Sequence, residues 1–320
     1  MDRPGPLAGL RAALSRFAGE HPLGDSGWCV ALSGGPDSLA LTAAAAPLRP
    51  TTALIVDHGL QPDSAAVARA ARAQALRLGC VAAQVLCVDV GTAGGPEAAA
   101  RTARYTALDA ARAGAPVLLG HTLDDQAETV LLGLGRGSGA RSIAGMRGYD
   151  PPWCRPLLGV RRAVTEAACE ELALTPWTDP HNSDPRYTRV RLRTEVLPLL
   201  EDVLGGGVAE ALARTADALR EDGEVLDRLA AQLFDRAHRD GGLSVAELTG
   251  VAPAVRRRTL RLWLLAGGAR GLTDTHIRGV DALVSAWHGQ GGVAVPGAHP
   301  RRRLFAGRHA AKLILYTEPV

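Results

Sequence analysis

A short polar turn holds the residues of this chain that are best suited to chemistry on a phosphate. It separates an apolar run from an alanine-rich segment and consists of Ser33, Gly34, Gly35, Pro36, Asp37 and Ser38. Paired glycines let the backbone approach a ligand, and the first turn of a following helix offers unpaired N–H groups to an anion. Pro36 fits such a first turn, and Asp37 offers a carboxylate to magnesium. We predict a pyrophosphate-binding loop, although two glycines alone also suit an ordinary tight turn.

Polar residues also follow the next apolar run. Asp57 ends the string TALIVD and His58 follows it, at the place where other doubly wound sheets recognise ribose and base. We therefore predict that both contact ATP. The alternative for His58 is a strand-end histidine that is hydrogen-bonded to a neighbour. Further along, Arg101 and Arg104 share one face of a helical pattern and could clamp phosphates as a pair.

An acidic cluster follows the run PVLLG and comprises His121, Asp124, Asp125 and Glu128. Acids in the first turn of a helix usually just complement its dipole. Beside a histidine and a nucleotide loop, three carboxylates could hold magnesium, or could bind a cationic amine and help to remove its proton. The residue types alone leave both roles open.

These polar segments need parallel strands to bring them together. The runs WCVAL, TALIVD, VLCVDV and PVLLGH predict buried β-strands, and the segments between them predict helices on both faces. Ligands of such sheets bind beyond the carboxyl ends of the strands. We predict an α/β fold, with a doubly wound, mostly parallel, Rossmann-like sheet in a catalytic domain of residues 1–204.

A smaller, mainly helical domain is predicted for residues 205–320, beginning at three consecutive glycines. A long amphipathic helical pattern starts at Val208, and further helical patterns lie near residues 252–266 and 273–288. The strings VAVP, RRLF and KLILY predict short strands in the tail.

Composition excludes several mechanisms. Of the 36 basic residues only Lys312 is a lysine, and it lies in a strand-like run. A Walker P-loop, a protein-kinase site and a lysyl-AMP ligase each need a lysine at the reacting phosphate. The five cysteines contain no C-x-x-C spacing, which argues against a disulfide framework or a metal cluster. No apolar run spans a membrane and no signal-peptide core is visible, so we expect a cytoplasmic protein.

Basic residues are concentrated locally, although the net charge is only +3. Such clusters are typical of surfaces that contact a phosphate backbone, and solvated helix faces are the alternative. The residues that we predict to bind a nucleic acid are Arg136, Arg189, Arg191, Arg193 and Arg257.

The string S-G-G-x-D-S resembles the PP-loop signature of the N-type ATP pyrophosphatases, which cleave ATP between its α and β phosphates. Nearly the whole chain resembles the lysidine synthetase family within that group. The resemblance is carried by H-G-L-x-x-x-S, E-x-x-x-R-x-x-R-Y and H-x-x-D-D-x-x-E-T, and by RPLLGV and the stretch from WTDP to VLPLL. Gln61 stands where this family commonly has arginine, and Val190 where it has asparagine.

This resemblance implies that ATP adenylates the wobble cytidine of a tRNA(Ile) with a CAU anticodon, and that free L-lysine then displaces AMP to give lysidine. It implies Mg²⁺ and ATP as cofactor and co-substrate, and leaves a homodimer open. It assigns lysine binding to Asp125 and Glu128. It assigns the catalytic work on the phosphates to Asp37, Arg104, His121 and Asp124.

Two other classes of protein remain as alternatives. A tRNA 2-thiolase shares this fold but usually employs paired cysteines, and related amidotransferases need an ammonia source, for which no glutaminase domain is visible. A non-catalytic RNA-binding protein could retain a degenerate nucleotide fold. The intact loop and acidic strings argue against that reading.

Overall fold

The structure is a computed structural model in which contacts divide the chain into two compact units. It describes residues 5–24, 26–59, 61, 63–91, 95–137, 139–179, 182, 184–297 and 301–319. Leu60 of the nucleotide motif and the side chain of Glu97 lie outside the described residues. The first unit comprises Met1–Leu132 and Gly145–Thr215, and the second comprises Gly133–Ala144 and Ala216–Val320. The predicted domain boundary between residues 204 and 205 stays a prediction.

Helices make up much of both units. Within the described residues they are α1 Pro6–Glu20, α2 Pro36–Ala45, α3 Ser64–Arg77, α4 Pro96–Ala111, α5 Leu123–Gly135, α6 Ala140–Ile143, α7 Arg162–Glu171, α8 Thr188–Arg191, α9 Leu197–Val203, α10 Val208–Ala237, α11 Val245–Leu248, α12 Pro253–Ala266 and α13 Asp274–Ser285. A π-helical turn, Leu192–Val196, joins α8 to α9. Proline lies in the first turn of α1, α2 and α12, where its fixed φ suits a helix start. None of the described helices is both long and apolar enough to cross a bilayer.

The strands form one sheet in each unit. They are β1 Trp28–Ala31, β2 Thr51–Asp57, β3 Ala82–Cys87, β4 Val117–Leu119, β5 Tyr149–Asp150, β6 Trp153–Cys154, β7 His238–Arg239, β8 Gly242–Ser244, β9 Val293–Val295, β10 Arg302–His309 and β11 Lys312–Pro319. The first sheet has the order β3-β2-β1-β4-β6-β5, and all its pairs are parallel except β5 with β6. The predicted doubly wound, mostly parallel fold is thereby confirmed.

Two cores cover the faces of this first sheet because alternate residues of β1 point to opposite sides. Val30 belongs to the cluster that contains residues of α1, α2, α3 and α7. Cys29 and Ala31 belong to the other cluster, with Leu108 of α4 and Leu119 of β4. The central strand is therefore buried along its length, and the turn that follows it emerges at the edge where ligands of such sheets bind.

The second unit combines helices with an antiparallel sheet of order β7-β8-β11-β10-β9. The strands predicted in the tail are confirmed as β9, β10 and β11. Trp263 of α12 is buried in the core of this unit. Buried Asp281 of α13 accepts hydrogen bonds from Arg256 at 2.6 Å and from Arg257 at 3.0 Å, which ties α12 to α13.

Candidate active site

The turn after β1 carries the predicted phosphate loop into the start of α2. Gly35 precedes the helix and Pro36 occupies its first turn. The Ser38 hydroxyl accepts a hydrogen bond from the Ser33 N–H at 3.2 Å and donates one to the Gly35 carbonyl at 3.0 Å. Gly34 has a φ of +87°, a left-handed conformation that glycine adopts without strain. These hydrogen bonds hold the loop in a compact turn, which leads into the N–H groups at the start of α2.

The end of β4 packs directly under this loop. A Cβ at Gly120 would lie 3.1 Å from backbone atoms of Asp37 and Ser38. Only a residue without a side chain allows this approach unless the neighbouring backbone shifts. The contact places His121, the next residue, beside the first turn of α2.

A cavity of about 290 Å³ opens beside the loop, at the carboxyl ends of β1 and β2. Trp177, Ile55 and Val67 supply apolar walls. The polar side chains that line it are Ser33, Asp57, His58, Gln61, Ser64, Arg104 and Asp179. Its size is near the lower limit, about 300 Å³, of small-molecule sites, and an apolar cavity with a few polar groups next to a phosphate loop suits a nucleoside.

Two polar side chains of this cavity have atoms that make no hydrogen bond to the residues that the structure describes. The Nδ1 atom of His58 is buried without a hydrogen bond, and burial together with nearby Arg104 lowers the pKa of His58. The half-buried Arg104 guanidinium makes no hydrogen bond or ion pair with any residue in the described ranges. Exposed Arg101 instead stacks on the Tyr105 ring at 5.0 Å. Arg104 is therefore the arginine of this pair that lies open to a cavity ligand.

Asp125 and Glu128 of α5 are held in place by hydrogen bonds and ion pairs. The Thr122 N–H and hydroxyl donate to Asp125 Oδ2 at 2.8 and 3.0 Å. Glu128 has no exposed surface, and its Oε1 accepts a hydrogen bond from Arg193 Nε at 2.8 Å. Burial raises the pKa of Asp125, but Arg162 and the Thr122 hydrogen bonds outweigh it and leave that pKa below its ordinary value. Asp125 is an anion at neutral pH.

Arg162, the first residue of α7, joins these acids to the phosphate loop. Its Nε lies 3.3 Å from Asp37 Oδ2 and its Nη2 lies 2.6 Å from Asp125 Oδ1. Its Nη1 lies 3.6 Å from Glu128 Oε1. Burial lowers the pKa of Arg162, yet the carboxylates around it, Asp125 foremost, raise that pKa above its ordinary value. The acids therefore converge on one permanent cation.

Asp37 and Asp124 have further partners on and next to α7. The Thr165 hydroxyl donates a hydrogen bond to Asp37 Oδ1. Burial raises the pKa of Asp37, and Thr165 and Arg162 oppose this shift. Asp124 accepts a hydrogen bond from the Arg162 N–H at 2.7 Å and pairs with the Arg161 guanidinium at 3.3 Å.

His121 is a neutral imidazole between the loop and the acids. Its Nδ1 atom is buried and has no hydrogen-bond partner among the described residues. Burial is the main cause that lowers the pKa of His121 to about 3; Asp125 opposes this shift, and Arg104 and Arg155 add to it. The ring can therefore hydrogen-bond a ligand without adding charge.

Magnesium fits this site only as a partner of the nucleotide. Within the described residues, no group of three or more His, Cys, Asp or Glu side chains could hold a metal ion. Mg²⁺ commonly uses one or two carboxylates, water and substrate phosphates, and Asp37 lies in the first turn after the loop. Asp37 is the residue that would hold it.

The structure adds residues to the site that the sequence motifs do not indicate, and it changes the interpretation of others. Arg161 and Arg162 pair with acids, which their positions in the sequence do not indicate. Thr165 carries no recognisable signal, and Trp177 is marked only as the first residue of the WTDP string. Of the predicted nucleic-acid contacts, Arg189 lies 3.7 Å from Glu128 and Arg193 also contacts that carboxylate. Arg136 is exposed, Arg191 pairs with Glu195 at 2.9 Å, and Arg257 pairs with Asp281 at 3.0 Å.

The fold and the loop together define a protein of the PP-loop nucleotide-binding class, and residues 10–200 match the PP-loop domain family. Residues 243–309 match a second family, described as the TilS substrate binding domain. The chain is 70% identical over 320 residues to the tRNA(Ile)-lysidine synthase of Mycolicibacterium paratuberculosis, with 100% of each chain covered. It is 68% identical to that of Mycobacterium tuberculosis H37Rv, again over 100% of each. The chain belongs to the tRNA(Ile)-lysidine synthase family, which confirms the resemblance drawn from its motifs.

Among solved structures, a U34-tRNA thiolase from Methanococcus maripaludis shares the fold, with a TM-score of 0.55 and 18% identity. The match covers 68% of this chain and 80% of the thiolase. That structure contains a [4Fe-4S] cluster. In this chain four cysteines are buried and only Cys87 is exposed, and those described form no group that could hold a metal. The likeness therefore concerns the fold alone.

Proposed function

We propose that this protein is an ATP-dependent ligase that joins free L-lysine to carbon 2 of the wobble cytidine of tRNA(Ile). The products are lysidine, AMP and pyrophosphate. The observation that carries this proposal is the meeting of two sites: Arg162 contacts both Asp37 of the phosphate loop and Asp125 of the acid cluster. This contact supports a phosphate site and an anionic amine site that are neighbours, as transfer of an amine to an adenylated base requires.

In the first step the cytosine carbonyl oxygen attacks the α-phosphorus of ATP, and pyrophosphate leaves. The loop N–H groups and the Arg104 guanidinium stabilise charge on the phosphates. The neutral ring of His121 and the side chain of Asp124 orient the reacting groups. Mg²⁺ held by Asp37 would neutralise the leaving pyrophosphate. The adenosine occupies the cavity beside Asp57 and His58.

In the second step the ε-amine of lysine attacks carbon 2 and AMP leaves. Asp125 and Glu128 bind the ammonium group of lysine and help to remove its proton, because an amine attacks only in its neutral form. The buried position of Glu128 excludes water from this contact.

The tRNA is proposed to contact Arg136, Arg189, Arg191, Arg193 and Arg257. Arg189 and Arg193 are also partners of Glu128, so their contact with RNA would act on the lysine site as well. A cytoplasmic location and a homodimer both stay predictions.

The test is incubation of the protein with ATP, magnesium, isotope-labelled lysine and transcripts of tRNA(Ile) and tRNA(Met) that both carry a CAU anticodon. We expect label in the tRNA(Ile) transcript, recovered as lysidine by nucleoside analysis, and none with Asp37→Ala. Label in neither transcript would contradict the proposal. The thiolase alternative would be favoured only by sulfur incorporation from the same reaction with a sulfide source.

A further inference from the structure

Building on the proposed function, we propose that Arg162 is a displaceable counter-ion that occupies the lysine site until ATP binds. Its guanidinium holds the carboxylate oxygen that the lysine ammonium needs. Binding of the nucleotide releases that oxygen, so ATP binds first and lysine second.

The oxygens of the two acids show which groups compete with a lysine ammonium at this site. Asp125 Oδ2 is saturated by the Thr122 N–H and hydroxyl, and Asp125 Oδ1 lies 2.6 Å from Arg162 Nη2. Glu128 Oε1 is bound by Arg193. Only Glu128 Oε2 is without a hydrogen bond, and it is buried. An ammonium group that binds both acids therefore competes with the Arg162 guanidinium for Asp125 Oδ1.

The charges around the two acids balance. Asp37, Asp125 and Glu128 are paired with three arginines, Arg162, Arg189 and Arg193. Asp124 pairs with Arg161, which also pairs with Glu201 and Glu210. A further cation entering a neutral cluster gains little Coulomb energy and loses its hydration. Lysine binding therefore requires that positive charge is first drawn away from the acids.

The phosphate loop is placed to draw that charge away. Arg162 Nε lies 3.3 Å from Asp37 Oδ2, in the first turn of the helix that follows the loop. A triphosphate bound at this helix start offers bidentate acceptors that suit a guanidinium better than a single carboxylate oxygen. This preference moves Arg162 toward the phosphates and away from Asp125.

Coupling of this kind is reciprocal, so lysine must raise the affinity for nucleotide by the same factor. The test is calorimetric titration of the full-length protein with L-lysine, alone and saturated with magnesium and α,β-methylene-ATP, which the enzyme cannot cleave. For the unaltered protein we expect the nucleotide to raise lysine affinity at least about tenfold. In Arg162→Met we expect lysine to bind without nucleotide as tightly as it binds the unaltered protein with nucleotide.

Arg112→Met is the matched control. Arg112 pairs with Asp109 elsewhere in the first unit, and no described contact joins it to Asp37, Asp124, Asp125 or Glu128. This variant is expected to keep the nucleotide dependence. Equal lysine affinity with and without the analogue in the unaltered protein would overturn the proposal even if Arg162→Met did not fold. Undiminished coupling in a folded Arg162→Met would overturn it too. Binding of the analogue with no lysine binding in any state would remove the proposed lysine site itself.

Discussion

The chemistry of single residues in this site is set by burial and by close arginines. His121 has no hydrogen-bond partner for its buried Nδ1 among the described residues, and its pKa is lowered to about 3. Asp125, which is also buried, keeps its charge because Arg162 and Thr122 stabilise the anion. One short segment thus holds a neutral ring and a carboxylate anion, which suits contact with a phosphate at one end and with an ammonium group at the other.

The histidine makes a testable contribution to stability. Its pKa in the folded protein, about 3, is below the ordinary value near 6.5, so the unfolded state binds the proton more tightly. The stability that neutral His121 retains above pH 6.5 is lost as pH falls toward 3, by about 1.4 kcal/mol per pH unit. We expect the protein to lose about 2 kcal/mol more than His121→Asn between pH values of about 6.5 and 5.

Urea denaturation of both proteins across that range measures this difference. His309→Asn, which alters an exposed histidine, is the control. A stability difference between the protein and His121→Asn that does not change with pH would show that the buried ring has no such effect.

The residue types of the site could be predicted from short strings, since the loop and the acid cluster each occupy fewer than ten positions. The pairing of Arg162 with Asp37 could not, because 125 positions separate them along the chain. In the sequence Arg161 and Arg162 are two adjacent arginines with no acid directly beside them, and only the fold shows that they face carboxylates. Local composition reports the number of charges but not their partners.

At the scale of elements, the site depends on how closely β4 approaches α2. Gly120 lets the end of β4 lie against the first turn of α2, and the loop and the acids at the start of α5 then share one edge of the sheet. Two short elements therefore set the distance between the loop and the acid cluster.

A methyl group at position 120 tests this contact. Gly120→Ala places a Cβ 3.1 Å from the backbone of Asp37 and Ser38, so the first turn of α2 must shift. We expect a stability loss of about 1 to 3 kcal/mol and nucleotide affinity that is several-fold weaker. Gly9→Ala in α1 is the matched control, because its Cβ would meet no atom within 4 Å. Unchanged nucleotide binding in folded Gly120→Ala would show that the contact does not position the loop.

The longer elements follow from the sequence and the short ones do not. Four apolar runs gave β1 to β4, although β3 begins at Ala82, three residues before the predicted run. The two-residue strands β5 and β6 carry too few positions for any periodicity. The π-helical turn Leu192–Val196 has the composition of an ordinary helix, so its extra residue per turn depends on tertiary contacts.

At the scale of the whole molecule, each of the two units has its own sheet and its own core. The first holds the loop, the cavity and the acid cluster, and the second matches a substrate-binding family. The sequence predicted a second domain with tail strands, but not the five-stranded antiparallel sheet, since β7 and β8 contain only two and three residues. Sites of RNA contact stay predictions because exposed arginines have no feature that distinguishes them from a solvated surface.

The central claim is that the turn from Ser33 to Ser38 holds the triphosphate of ATP beside the lysine-binding acids. A crystal structure of the full-length protein with magnesium and α,β-methylene-ATP tests it most directly. We expect the phosphates at the N–H groups of that turn, the metal on Asp37 and the adenosine in the cavity lined by His58 and Trp177. A nucleotide bound elsewhere, with the turn empty, would contradict the account.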